Sequence, residues 1–117
     1  MSSEHKDDTA WKVFQLNELM DSLPDKPAHY EEFLRVPSLS CGIYHLAAGS
    51  RDMQGPHDED EVYYVLRGSG RLNVNDDIRD VKAGTLLYVR ATEDHSFFEI
   101  DEDITLLVFF SSTTESD

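Results

Sequence analysis

GPHDEDEVYYVLRG, residues 55–68, is the stretch on which the reading of the chain turns. His57 is followed four residues later by Glu61, and then by an apolar run, Val62-Tyr63-Tyr64-Val65-Leu66. The run is β-branched and aromatic, too short for a helix and closed by Gly68-Ser69-Gly70. It therefore predicts a buried strand ending in a turn. A histidine and a carboxylate at the head of such a strand can point into one cavity, where imidazole and carboxylate together suit a divalent metal.

A second segment supplies a partner. Gly84 opens TLLYVRATEDHSFFEI, which predicts a strand at Thr85–Arg90, a turn through Ala91–Asp94 and a new strand from about His95. The period of two then puts His95, Phe97 and Glu99 on one face, as it puts Tyr63 on the inward face with Glu61.

Together the two segments resemble the cupin superfamily of small β-barrels. Its first motif, G-x5-H-x-H-x3-E-x6-G, falls on Gly49, Gly55, His57, Glu61 and Gly68. Its second, G-x5-P-x-G-x2-H-x3-N, falls on Gly84, Arg90, Thr92, His95 and Glu99. Gly55 stands where the family has its first histidine, Arg90 replaces the proline, Thr92 the glycine and Glu99 the asparagine. The resemblance spans roughly Leu39 to Phe110, and DEDEVYYVLRGSGRL is similar to one group of small bacterial cupins. It implies an all-β fold, a double-stranded β-helix or jelly-roll barrel with one short N-terminal helix. It also implies that His57, Glu61 and His95 line that barrel.

Two imidazoles and one carboxylate with open positions form the donor set of non-haem iron sites, and suit Mn, Co, Ni or Zn as well. Gln54 can lend a carbonyl oxygen beside the missing histidine, or water or substrate can fill the place. The alternative is an empty barrel in which the histidines are polar lining. Tyr63 and Glu99 are the catalytic candidates, the first as a hydroxyl shaping the pocket and the second as a general base, with a solvated carboxylate at the open barrel end as the alternative for Glu99. Asp58-Glu59-Asp60 reads as a solvated turn.

The chain has 117 residues, which suits one barrel domain over 11–111 with polar tails at 1–10 and 112–117. A net charge of −14, from 24 acidic and 10 basic residues, repels phosphate backbones and anionic bilayers, so neither nucleic acid nor membrane is an expected partner. Cys41 is the only cysteine, which excludes an intrachain disulfide and fits a reducing cytoplasm. It lies within a predicted strand and reads as a buried, inert thiol. Residues 1–10 have no apolar core of a secretory signal, and no apolar run approaches the length of a membrane span.

Leu16, Leu19, Met20 and Leu23 recur at helical spacing, so one short helix precedes Pro24 and Pro27. Tyr30–Val36 reads as an edge strand stopped by Pro37, open to pairing with a second copy in a homodimer. Leu39–Ala47 reads as a core strand. Asn75-Asp76-Asp77 turns a hairpin, and Asp101-Glu102-Asp103 a further bend into a last apolar strand, Ile104–Phe110. The function expected is a divalent-metal cupin, acting as a dioxygenase, isomerase or lyase on a small polar organic molecule. The alternatives are a binding or sensing module that does not turn its ligand over, and a purely structural barrel.

Overall fold

The computed structural model describes residues 10–50, 52 and 58–111. The expected tails, apart from Ala10, fall outside these residues, as do Gln54, Gly55 and His57. Among the described residues one helix, α1 (Leu16–Asp21), precedes six strands: β1 (Ala28–Val36), β2 (Leu39–Leu46), β3 (Glu61–Val74), β4 (Asp77–Lys82), β5 (Leu86–Val89) and β6 (His95–Ser111). All pairings are antiparallel, in the order β1-β2-β6-β3-β4, with β5 on the flank of β3. This is the all-β jelly-roll architecture expected.

Alternation decides what lies inside. Tyr44 and Leu46 of β2, Tyr63 and Val65 of β3, and Ile104, Leu106 and Val108 of β6 face one core, joined by Leu72, Val81, Val89, Phe97 and Ile100. Cys41, on the opposite face of β2, is buried too. Leu16 and Leu19 of α1 help line an open apolar groove of about 440 Å³ beside it, with Trp11, Phe14, Phe33 and Phe109. Burial pushes the Cys41 thiol up from its ordinary range, as an inert thiol requires.

Two expected turns are not turns. The chain runs through Gly68 without leaving the sheet, so β3 is a single strand of 14 residues. Likewise it runs through Asp101–Asp103, and β6 is a single strand of 17. Both are bent instead of broken: their mutual register shifts between Val65 and Arg67, Arg67 and Ser69, and Ser69 and Arg71. At the bend Gly68 has φ +91°, which glycine adopts freely. The hairpin after Val74 is as expected: Val74 pairs with Asp77, and Asn75 and Asp76 both have positive φ. That is the geometry of a two-residue turn matched to strand twist.

The long strands form one ribbon. Glu61 pairs with Phe110 at one end of it, and Val74 pairs with His95 at the other. Laid straight, 14 residues would separate those ends by roughly 45 Å. The bends roll the ribbon so that its ends meet, and the meeting point is the site.

Candidate metal site

Glu61 is the first residue of β3 and His95 the first of β6. Both are buried, with side-chain exposures of 2% and 1%. Their approach is fixed from outside. The Asp60 carboxylate accepts the Ala91 N–H at 2.8 Å, and Asp60 and Ser111 exchange backbone and hydroxyl hydrogen bonds, so the head of β3 is tied to the β5–β6 turn and to the end of β6. This gives the Asp58–Asp60 turn a structural task.

The His95 ring is oriented by its Nδ1, which lies 3.0 Å from the Glu93 carbonyl oxygen. A carbonyl only accepts, so Nδ1 carries the proton and Nε2 presents its lone pair to the interior. Nε2 stands 3.0 Å from Glu61 Oε1 and 2.9 Å from the Tyr63 hydroxyl, which is also 3.1 Å from Glu61 Oε2. A neutral imidazole with that tautomer faces the carboxylate lone pair to lone pair, so a proton or a cation must sit between them. Two donors bound at about 2.1 Å and at right angles on one ion stand about 3.0 Å apart, so the observed spacing also fits adjacent ligands of an octahedral metal. The ring anchored through its far nitrogen is the usual second contact of a metal-binding histidine.

Burial by itself pushes His95 down. Hydrogen bonding to Glu61 and to the Glu93 carbonyl, with the charges of Glu61 and Asp52, outweighs it, and the imidazole lies above its ordinary value. Tyr63 is wholly buried, its ring edge-on to Phe97 at 5.1 Å. Burial, then the Glu61 charge, holds its phenol far above the usual range, so it remains a hydroxyl.

The expected third ligand, His57, and Gln54 lie outside the described residues. Among the described residues no group of three potential ligands comes together. Tyr63 is brought to the site. Glu99 is not: its φ of +48° interrupts the period of two after Phe97, and its side chain is exposed and paired with Arg71 at 2.8 Å. The expected shared face of His95, Phe97 and Glu99 therefore ends at Phe97, and the general-base reading of Glu99 loses its geometry. Thr92 has φ +67°. The positions where the resembled family carries Gly and Asn are thus both left-handed here, where those residues are favoured for backbone reasons.

Two residues escaped the sequence reading. Asp52 is 7% exposed, accepts the Tyr44 hydroxyl at 2.7 Å and accepts the Phe97 N–H at 3.2 Å. Its negative charge also bears on Tyr63 and His95. An Asp in a polar run carries no signal of burial, and only the tertiary contacts reveal it. The other is Tyr30, whose ring lies edge-on to Tyr44 and to Phe110, each at 6.2 Å.

With the fold and these contacts in view, the comparisons are direct. The cupin-domain family matches residues 42–110. The chain belongs to the cupin family. A Streptomyces coelicolor protein of uncharacterized function is 40% identical over 100 residues, covering 86% of this chain and 95% of that protein. Among solved structures, a Klebsiella pneumoniae protein with a double-stranded β-helix domain superposes with a TM-score of 0.76 at 13% identity, over 91% of this cupin and 94% of that chain. The DMSP lyase DddQ from Ruegeria pomeroyi superposes with a TM-score of 0.70 at 16% identity. This cupin is covered over 78% of its length there and spans 50% of the lyase chain. At such identities these likenesses concern the fold.

Proposed function

We propose that this cupin holds a divalent metal ion, one of Fe, Mn, Ni, Co or Zn, on Glu61, His95 and His57, with Gln54 beside them, and acts on a small polar organic molecule. The observation that carries the reading is the 3.0 Å approach of His95 Nε2 and Glu61 Oε1, both buried, with the His95 proton committed to Glu93 on the other side of the ring. When bound, the ion would supply Lewis acidity toward a carbonyl or carboxylate oxygen of the substrate. The chain's own contribution is orientation and proton holding. Tyr63 keeps its hydroxyl proton within hydrogen-bond reach of both donors, and the apolar wall of Phe97 and Val108 excludes water from them. A lyase, isomerase or dioxygenase is the enzyme type in view, and the lyase among the structural neighbours supports it by analogy of fold.

The test is elemental analysis of the purified chain together with melting before and after chelation. The expected result is about one ion per chain and a lower melting temperature without it, because an ion bound only to the folded state stabilises that state by mass action. Protein that retains none of the five ions after reconstitution, and melts identically with and without chelator, would overturn the reading. Incubation with small organic acids then separates turnover from binding: a ligand returned unchanged places the barrel among binding modules.

The pH response follows from His95. With its folded value above the unfolded value of about 6.5, the His95–Glu61 contact stabilises the chelated protein fully below that pH, and the contribution is lost as pH rises through the raised value. Metal affinity runs the other way, since protons and the ion compete for Nε2, and weakens from a pH above 6.5 downward. Melting of chelated protein from pH 5 to 9 and isothermal metal titrations over the same range measure both. Chelated protein that gains stability as pH rises through that window would contradict the account.

A homodimer is part of the proposal. β1 pairs only with β2 among the described residues, leaving its other edge open. The outer face also shows Leu86 and Tyr88, 69% and 63% exposed, beside Val62 and Phe109. Contiguous apolar surface of this kind marks association. Light scattering at high micromolar concentration should give twice the chain mass; a monomer there would count against it.

A further inference from the structure

The Tyr30 hydroxyl is buried and has no hydrogen-bond partner among the described residues. Leaving such a group unmade costs more than a typical made hydrogen bond returns, so an orphan hydroxyl asks what completes it. The fold makes room for it. A Cβ at Gly42 would stand 2.2 Å from the Tyr30 oxygen and 2.3 Å from Cζ, so only glycine at 42 admits the phenol end. Gly42 pairs with Val108, and Val108 pairs with Tyr63, in one inward-facing row. The Tyr30 hydroxyl thus stands on the inner wall two strands from the Tyr63 backbone, about 10 Å along the sheet. Tyr63 in turn touches Glu61 and His95. The edge-on contacts with Tyr44 and Phe110 hold the ring, and Phe110 is the cross-strand partner of Glu61. Burial, then the charge of Glu32, pushes Tyr30 up to about 12, and the more distant Glu61 charge adds to the rise, so the group donates rather than titrates near neutrality.

We propose that Tyr30 is the second recognition point of the barrel, donating its hydroxyl proton to an oxygen of a small ligand whose other oxygen is held at Glu61 and His95. The proposal rests on the metal-site reading and narrows the ligand class. The molecule carries two oxygen-bearing groups a few carbons apart, as a short dicarboxylate or hydroxy acid does. Tyr30 is a specificity-determining residue in this account and holds no metal.

The experiment uses the full chain loaded with Co(II), titrated with malonate and with acetate and followed by the Co(II) absorption bands. Wild type is expected to prefer malonate. Tyr30→Phe should bind Co(II) as wild type does, bind acetate as wild type does, and lose malonate affinity about tenfold, the size of one hydrogen bond to a charged oxygen. No preference for malonate in wild type, or an undiminished preference in Tyr30→Phe, would overturn the proposal. A second arm needs no metal. With ligand absent, Tyr30→Phe removes an unpaired hydroxyl and should melt at or above the wild-type temperature. A clearly lower melting point would show that the hydroxyl has a structural partner, and would overturn the proposal too. Wild type that fails to take up Co(II) at all strikes the metal reading, and distinguishes that failure from this one.

Discussion

Gly68→Ala is expected to cost about 3 kcal/mol or more of folding stability, the largest effect of any single methyl group in this barrel. Two separate penalties meet there. The φ of +91° is one that a residue with a Cβ adopts only at a cost of about 1–2 kcal/mol. In addition, the new Cβ would lie 2.1 Å from the Asp103 carbonyl oxygen and 2.6 Å from Ile104 Cα. These are backbone atoms of the adjacent strand, which cannot rotate away as a side chain can. Relief requires β3 and β6 to part at the bend where their register shifts. Gly84→Ala is the control: φ is +94°, but nothing lies within 4 Å of the added atom. It should show the backbone penalty alone, about 1–2 kcal/mol. Urea denaturation followed by circular dichroism compares the two. Equal losses for both variants would mean that the strands part at Gly68 without cost.

Glu61→Ala, His95→Ala and His57→Ala should each reduce bound metal to background while the protein keeps its β-rich spectrum. Gly55 brings no side chain to the position where a further histidine is common in the resembled motif, so the proposed donor set has little redundancy. Glu61 and His95 also carry a stability signature. Truncating either one takes a buried hydrogen-bond partner from the other, at a cost of about 1–3 kcal/mol. Glu61→Gln should soften that loss while still emptying the site, because the amide oxygen is a poor substitute for a carboxylate on a divalent ion. Glu59→Ala should change little, and Gln54→Ala should fall between. Elemental analysis of the variants decides the matter, and full occupancy in both His57→Ala and His95→Ala would sink the assignment.

Local signals were enough for the parts of the fold governed by local physics. The Asn75-Asp76 hairpin, the start of β6 at His95 and the breaks around Pro24 and Pro37 follow from turn chemistry and from φ restrictions carried by single residues. Signals failed where a long-range contact overrode them. Gly68 reads as a turn because glycine in an apolar run punctuates most chains; here it is the place where another strand's backbone comes too close for any side chain. Counting twos from His95 puts Glu99 on the inward face, and a single left-handed residue ends the count in favour of the solvated alternative. Asp52 and Tyr30 could not have been singled out, since the partners that give them meaning, Phe97 and Gly42, lie in strands whose register no local pattern announces. Of the site itself, Glu61, Tyr63 and His95 were legible and do come together, while the placement of His57 remains a proposal.

The rolled ribbon has a consequence for how the molecule assembles. Glu61 and His95 begin the two longest strands and sit at opposite ends of their shared ladder, so nothing short of the finished roll can bring them within 3.0 Å. A hairpin, a loose collapse or a half-zipped intermediate presents the two donors far apart. Capture of the proposed ion would therefore be the last event in folding, after the slow pairing of distant segments. An ion bound at that stage would act as a clasp, slowing unrolling more than it hastens rolling, because its contacts are absent from the barrier that precedes them. A barrel closed in this way would persist through slow escape, and a nascent or damaged chain would not hold the proposed ion.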